Sequence, residues 1–165
     1  MTNMELIVAV YDNWGIGNNG TQPIVISADR KFFQKITEET MIIAGRHTVM
    51  DFPNKAPLPN RINVVITNHD LTASGFITVH SPEEAAQLAQ TVPRAIVIGG
   101  GSIYRQMLPW CNIAYVTKIH CTVPCDTYFP NLEKTENWHL EEIIQAGEEN
   151  GITYDICLYK RKGTV

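Results

Sequence analysis

Short runs of consecutive apolar residues recur along the chain, and loops rich in glycine, asparagine and proline separate them from helical patterns. Unbroken apolar runs of this length are typical of strands that are covered on both faces of a sheet. They predict eight strands, over residues 6–10, 41–44, 62–67, 76–79, 96–98, 113–119, 138–144 and 152–161. The last two runs are joined by the turn GEENG, which predicts an antiparallel hairpin at the end of the chain.

Helical patterns lie between several of these runs. Ser27 is suited to cap a helix over 28–36, and Ser81 is suited to cap a second helix. Shorter helices are predicted from Gly45 through Phe52 and over 102–108. Because strands and helices alternate, the expected fold class is α/β. We expect one domain over residues 1–165, built on a mixed, mostly parallel eight-stranded sheet with a C-terminal antiparallel hairpin and about four flanking helices.

Composition narrows the class of protein. A chain of 165 residues, 44% of them hydrophobic, is long enough for one domain with a substantial core. The net charge is −4 and the chain has no basic run, so nucleic-acid binding is not expected. The first residues, MTNMELIVAVYD, lack a basic leader and predict a strand instead of a signal peptide. No apolar stretch approaches the roughly 18 residues of a membrane span, and we expect a cytoplasmic protein.

Four cysteines, at positions 111, 121, 125 and 157, are expected to be free thiols in a reducing compartment. His120, Cys121 and Cys125 were considered as metal ligands. No fourth ligand follows at the spacing of a zinc finger, so no metal is expected.

Glycines follow two of the predicted strands and lead directly into helices. Gly99, Gly100 and Gly101 precede one helix, and Gly45 precedes another that opens with Arg46, His47 and Thr48. A glycine turn at a helix N-terminus offers unpaired N–H groups that suit a phosphate, although a plain tight turn is the alternative for each. Two such turns in one small domain favour a dinucleotide or another ligand with several phosphates. Neither is the GxGxxG fingerprint, so a classical Rossmann domain is not indicated.

Two charged residues are candidates for substrate binding. Asp29 lies in the first turn of a predicted helix, just after a long loop over 11–26 that is rich in glycine and asparagine. Loops of this length are usually functional, which favours an active-site acid over a surface carboxylate that matches the helix dipole. Arg61 is the last residue of the rigid loop PNKAPLPNR. The alternative to a substrate-binding role is a solvated arginine beside a strand.

Seven short segments occur together in the order and spacing of one enzyme family. They are LIVAVYDNWGIGNNG, the helix start ADRKFF, IIAGRHT, PLPNR, VIGGGSIYRQMLP, YVTKI and DTYFP. Each segment alone is weak evidence for a family, but seven segments in the family's order and spacing are not expected by chance. The chain resembles dihydrofolate reductase over nearly its whole length.

The resemblance implies hydride transfer from NADPH to dihydrofolate, giving tetrahydrofolate. Asp29 matches the single active-site carboxylate of the family, and Thr117 matches the threonine that orients it. A carboxylate suits the pterin because the 2-amino group and a ring N–H lie side by side and can both donate to it. In this family the proton for N5 comes from a water near the loop, so Asp29 binds and tunes more than it donates.

Other positions match binding residues of the family. The pterin is implied to lie against Ile7, Val8 and Ile98, the aminobenzoyl ring against Phe33, and the glutamate tail against Arg61. A core phenylalanine and an ordinary strand threonine remain the alternatives for Phe33 and Thr117. The positions that match cofactor-binding residues are Ala9, Ile16, Gly17, Gly45, Arg46, His47, Thr48, Thr67, Asn68, Gly99, Gly100, Gly101, Ser102, Ile103 and Tyr104. The resemblance also implies a cis peptide bond between Gly99 and Gly100.

Three positions depart from the family pattern. Ile24 stands where many members have a tryptophan that helps to fix an active-site water, so this catalytic position is expected to organise proton delivery differently. Arg30 follows the carboxylate in place of Leu or Met, and should alter how the substrate tail or an antifolate fits. Asn68 stands where many members have Arg or Lys, so the preference for NADPH is expected to rest on Arg46.

The expected protein is a monomeric, cytoplasmic dihydrofolate reductase that binds dihydrofolate, NADPH and antifolate inhibitors. One rival shares the fold: the NADPH-dependent reductases of riboflavin synthesis, which do not need Asp29, Phe33 and Arg61 at pterin-binding spacing. A second rival is a catalytically silent relative that binds nucleotide or sequesters antifolates, which the departures at Ile24 and Arg30 keep open.

Overall fold

The computed structural model describes residues 3–18, 20–69 and 74–163. Ten strands are found over these ranges: β1 (Met4–Val10), β2 (Gly15–Gly17), β3 (Met41–Gly45), β4 (Ile62–Ile66), β5 (Phe76–Val79), β6 (Ala95–Gly99), β7 (Ile113–Ile119), β8 (Thr127–Tyr128), β9 (Trp138–Glu149) and β10 (Ile152–Arg161). The helices of the same ranges are α1 (Ser27–Thr37), α2 (Arg46–Met50), α3 (Pro82–Ala89) and α4 (Gly101–Met107). Three 3₁₀ turns accompany them, at Pro53–Lys55, Leu108–Trp110 and Leu132–Lys134.

Eight of the strands form one sheet in the order β5-β4-β3-β6-β1-β7-β10-β9. The pairs from β5 to β1 are parallel, whereas β10 pairs antiparallel with both β7 and β9. The predicted α/β class, with its mixed sheet, C-terminal hairpin and four helices, is therefore confirmed. A two-stranded ribbon of β2 and β8, which pairs Gly15 with Tyr128, was not predicted from the sequence.

The chain divides into two compact units. The first consists of residues 1–6 and 36–111, and its parallel strands are apolar without alternation because both of their faces are covered. Ile43, Val65 and Val97, one from each of β3, β4 and β6, are completely buried. Ala89 of α3 and Met107 of α4 are completely buried as well, so these two helices contribute to the core of the unit.

The second unit consists of residues 7–35 and 112–165. Its core contains a cluster of aromatic rings in which Trp14 stacks on Phe129 with 6.4 Å between centroids and meets Tyr159 edge-on at 6.3 Å. The pairing of β9 with β10 shifts register twice, between Ile156 and Cys157 and between Leu158 and Tyr159. Such shifts are β-bulges, which bend a strand and interrupt its regular ladder.

Two helix starts illustrate where local patterns succeed and fail. Ser81 caps α3 as predicted, since its Oγ accepts the N–H of Glu84 at 3.1 Å. Ser27, by contrast, is the first residue of α1, and its hydroxyl donates to the Glu149 carboxylate at 2.5 Å. The predicted cap at Ser27 is therefore wrong, because a distant side chain occupies this helix end. The helix that was predicted to run through Phe52 ends at Met50.

Candidate functional site

In the second unit, a carboxylate and a hydroxyl of two predicted site residues form a hydrogen bond. Asp29 lies in the first turn of α1, and Thr117 of β7 donates its hydroxyl to Oδ1 of Asp29 at 2.6 Å. Thr117 is only 1% exposed. Burial raises the pKa of the Asp29 carboxyl above its ordinary value, against the hydrogen bond from Thr117 and the charge of Arg30, which lower it. The arrangement holds an acceptor-only group at a fixed position with little water around it.

This burial predicts that Asp29 destabilises the fold at neutral pH. Because the pKa is raised in the folded protein, the stability associated with this group is fully present below its unfolded value of about 3.8 and is lost as the pH rises through the folded value. We therefore expect Asp29→Asn to be more stable than the wild type at about pH 7 and to lose this advantage near about pH 4. Urea unfolding at both pH values checks this, and an advantage of equal size at both would contradict it.

The neighbouring apolar residues of this unit are divided between core and surface. Ile7 and Val8 of β1 are buried, and Ala9 is half-buried. On α1, Phe32 is buried and packs edge-on against Tyr115 at 5.6 Å between centroids, whereas Phe33 is only half-buried. The helix therefore uses Phe32 for the core and leaves Phe33 partly accessible beside Asp29.

Three predicted site residues of this unit are more accessible to solvent than Ile7 and Val8. Arg30 is exposed, whereas Ile16 and Gly17 of β2 are half-buried. Gly15 of β2 has no room for a side chain, since a Cβ atom there would lie 2.4 Å from Sγ of Cys125.

Ile24, in the loop over 11–26, is held through its backbone. The Tyr11 hydroxyl donates to the carbonyl of Ile24 at 2.6 Å and accepts its N–H at 2.9 Å. Tyr11 itself is buried, so the end of the loop is tied to the end of β1. Both of these hydrogen bonds use the backbone of Ile24, so they do not depend on its apolar side chain.

The first unit contains an open cavity of about 360 Å³ at the carboxyl ends of its strands. It is lined by Gly45, Arg46, His47, Thr48, Ile66, Thr67, His69, Gly100, Gly101, Ser102 and Ile103. One arginine and two histidines supply positive or protonatable groups, and no carboxylate is among these lining residues. Backbone approaches closely here, since a Cβ atom on Gly45 would lie 2.8 Å from Cγ1 of Ile103. The cavity therefore brings together both glycine turns, as expected of a phosphate-binding site.

The glycine turn after β6 has the backbone that the resemblance implies. The peptide bond between Gly99 and Gly100 is cis, and Gly99 has a φ of 128° that favours glycine. Tyr104 is buried, and its hydroxyl donates to the carbonyl of Ile98 at 2.8 Å. Ile98 is buried as well.

His69 lines the cavity but was not among the predicted site residues. Thr67 is buried, and its hydroxyl accepts the N–H of His69 at 3.0 Å, which shapes the turn after β4. His69 then lines the cavity, whereas Asn68 is exposed and does not line it. The available signal was the position of His69 three residues beyond a buried strand, at the same sheet edge as Arg46.

Arg61 is held by its own loop and by the last residue of α1. Its Nε donates to Oγ1 of Thr37 at 3.0 Å, and one terminal nitrogen donates to the carbonyl of Pro59 at 2.6 Å. Asn63, only 3% exposed, accepts the N–H of Leu58 and donates to the carbonyls of Leu58 and Arg61. The buried carboxamide of Asn63 therefore holds the rigid loop at Leu58 and at its last residue, Arg61.

Asn63→Ala is expected to lower the free energy of unfolding by about 2–3 kcal/mol, because it removes three hydrogen bonds from a buried side chain and leaves partly buried backbone groups of the loop without these partners. Thermal or urea unfolding measures this loss. Thr78→Ala, on the exposed face of β5, serves as the control and should change stability by less than about 0.5 kcal/mol. An Asn63 variant as stable as this control would contradict the role of the carboxamide.

The described residues contain no cluster of three or more side chains able to hold a metal ion. His120 instead contacts two carboxylates, Asp155 at 2.8 Å and Asp12 at 3.7 Å. All four cysteines are free thiols. Within the ranges that the structure covers, no helix has the length and apolar character needed to cross a membrane.

Comparisons with known proteins agree on one family. A dihydrofolate reductase family model matches residues 3–161. The chain is 32% identical to dihydrofolate reductase of Neisseria gonorrhoeae, over 98% of this chain and 100% of the relative. It is 31% identical to the Bacillus subtilis enzyme of the same name, over 98% and 96%. Dihydrofolate reductase from Enterococcus faecalis, solved with NADP(H) and RAB-propyl, superposes with a TM-score of 0.85 at 30% identity, covering 96% of each chain. This chain therefore belongs to the dihydrofolate reductase family.

Proposed function

We propose that this protein reduces 7,8-dihydrofolate to 5,6,7,8-tetrahydrofolate with NADPH, and so supports one-carbon metabolism and the synthesis of thymidylate and purines. The observation that supports this most is the half-buried Asp29 carboxylate held by the buried Thr117, in a chain of the dihydrofolate reductase family. An acceptor of fixed orientation suits a ring that presents two donors side by side.

Asp29 binds the pterin through its 2-amino group and the adjacent ring N–H. Its negative charge, in a site with little water, also favours protonation of the pterin at N5, which the reduction requires. Thr117 orients the carboxylate and favours its ionised form. The proton comes from solvent water, delivered near the loop whose backbone at Ile24 is held by the Tyr11 hydroxyl.

The remaining substrate contacts are those that the family resemblance implies. Ile7, Val8 and Ile98 provide apolar surface and backbone carbonyls for the pterin. Phe33, which is only half-buried, packs against the aminobenzoyl ring. Arg61 pairs with the carboxylate of the glutamate tail, where its planar guanidinium suits two oxygens. Arg30 lies at the surface beside Asp29 and modifies the fit of the tail or of an antifolate.

The residues of the glycine-lined cavity fit NADPH. Bound NADPH supplies the hydride. Arg46, His47 and Thr48 hold phosphate at the start of α2, and the backbone of Gly99, Gly100, Gly101, Ser102 and Ile103 approaches the pyrophosphate. Thr67, with His69, would border the 2′-phosphate of the adenosine, and the exposed Asn68, which the resemblance also assigns to this group, lies outside the cavity lining. Ala9, Ile16, Gly17 and Tyr104 lie beside the nicotinamide and its ribose, and Gly45 allows the close approach of α2.

We also propose that the protein is monomeric and cytoplasmic. Its catalytic domain spans residues 1–165, and antifolates inhibit it. Four free thiols agree with a reducing compartment.

The test is the decay of NADPH absorbance with dihydrofolate, compared with NADPH alone and with NADH. Decay that depends on dihydrofolate supports the proposal. Tight binding of NADPH without turnover of dihydrofolate would contradict it and would favour the silent nucleotide-binding relative. Turnover of the riboflavin-pathway substrate without turnover of dihydrofolate would favour the other rival.

A further inference from the structure

The start of helix α1 is held by a residue at the far end of the C-terminal hairpin. The N–H of Ser27 donates to Oε2 of Glu149 at 2.9 Å, and the Ser27 hydroxyl donates to Oε1 at 2.5 Å. The N–H of Ala28 also hydrogen-bonds to this carboxylate. These are donors that a helix leaves without intrahelical partners at its N-terminus. A carboxylate is a strong acceptor for them and is also favoured there by the helix dipole.

Glu149 is well placed for this contact because the hairpin fixes its position. It is the last residue of β9 and pairs in register with Ile152, across a turn in which Asn150 and Gly151 both have positive φ. The hydrogen bonds from Ser27 lower the pKa of the Glu149 carboxyl, with a smaller contribution from the charge of Lys31. Glu149 is therefore ionised throughout the neutral range.

The turn that Glu149 holds is the turn that contains Asp29. The N–H of Asp29 donates to the carbonyl of Ile26 at 3.1 Å, within the same turn. The Asp29 side chain is held from the other direction by Thr117. Three consecutive residues, Ser27, Ala28 and Asp29, are thus anchored by β9 and by β7 at once. Without the β9 anchor, the first turn would exchange its protein acceptors for water and would fray.

We infer that Glu149 is a positioning residue for Asp29: it holds the first turn of α1 so that the substrate-binding carboxylate stays oriented and shielded from water. This inference rests on the proposed function, because it assigns to Asp29 the binding of the pterin. It adds a residue that acts from the hairpin end, 122 positions away in the chain.

Three variants test it. Glu149→Ala removes the acceptor, and Glu149→Gln keeps one neutral acceptor oxygen. Glu148→Ala is the matched control, since Glu148 is the adjacent exposed glutamate of the same strand. For each, amide hydrogen exchange at Ser27 and Ala28 is measured together with the pH profile of kcat/KM for dihydrofolate.

In Glu149→Ala we expect exchange at Ser27 and Ala28 to accelerate at least about tenfold, and kcat/KM to fall about tenfold because a catalytic group is less well oriented. The acid limb of the pH profile should move to lower pH, because Asp29 becomes more hydrated and its pKa falls toward the ordinary value. Glu149→Gln should recover most of kcat/KM, and Glu148→Ala should match the wild type.

A normal pH profile and KM in Glu149→Ala would overturn the inference, even if exchange accelerated, because the anchor would then be structural only. Unchanged exchange would overturn it as well. The proposed function is tested separately by wild-type turnover: if the wild type does not reduce dihydrofolate, that proposal fails, while the exchange data still decide whether Glu149 holds the helix.

Discussion

Replacing Asp29 by asparagine will lower kcat/KM for dihydrofolate by roughly two to three orders of magnitude while leaving the fold intact. Asparagine has nearly the same shape and still accepts the hydroxyl of Thr117. It loses the negative charge that binds the two donors of the pterin, and a charge-assisted pair in a site with little water is worth about 3–4 kcal/mol. Each 1.36 kcal/mol corresponds to about a factor of ten in rate. The measurement is NADPH oxidation at saturating cofactor.

The control is Glu38→Gln, which removes a carboxylate from an exposed position immediately after α1. It should retain wild-type turnover, because it changes the net charge equally without touching the substrate. Unchanged turnover in Asp29→Asn, with the fold confirmed by circular dichroism, would contradict the role of Asp29. A loss of NADPH binding in the same variant would show that the effect is not confined to the substrate.

Arg46→Gln will reduce the preference for NADPH over NADH by roughly tenfold to a hundredfold. NADPH differs from NADH by one phosphate group, and Arg46 is the one permanently charged residue among those that line the cavity. Losing its charge-assisted hydrogen bonds should raise KM for NADPH and leave KM for NADH nearly unchanged. The measurement is the ratio of kcat/KM for the two cofactors.

Lys55→Gln removes one positive charge from the exposed turn that follows α2 and serves as the control for long-range electrostatics. It should leave the cofactor ratio within about twofold of the wild type, because exposed charges outside contact distance are screened by salt. If Arg46→Gln weakened both cofactors equally, Arg46 would contact the shared pyrophosphate, and the expectation that the preference for NADPH rests on Arg46 would be wrong.

Elements with strong local patterns were predicted well. Buried runs such as Ile42–Ala44 within β3 became strands because an unbroken apolar segment can be satisfied in a parallel sheet and not at a surface. Ser81 capped α3 because its partner lies only three residues away. The ribbon of β2 and β8 was missed, since a three-residue strand has no measurable periodicity and its partner is more than a hundred residues distant.

The site residues were likewise predictable where a local pattern indicated them and not where contacts between distant residues decide their position. Asp29 was identifiable as a candidate because it starts a helix after a long loop, and the family resemblance pointed to its threonine partner. The cap at Ser27 was wrong because the N–H groups of Asp29 and Arg30 donate to the carbonyl of Ile26, and the Ser27 hydroxyl donates to Glu149 from the other end of the chain. His69 was not identified because its contribution depends on how the turn after β4 bends. Contacts between residues distant in sequence leave no local pattern to read.

The two bulges in β9 have a consequence for the behaviour of the protein at high concentration. β9 is the last strand of the sheet, is twelve residues long and exposes Leu140, Ile143 and Ile144. A regular apolar edge of this length would be a template for another chain to extend the sheet. The two register shifts break its row of backbone donors and acceptors into short pieces that cannot all be matched at once. The hairpin thus disfavours intermolecular β-aggregation without placing a charge at every exposed position.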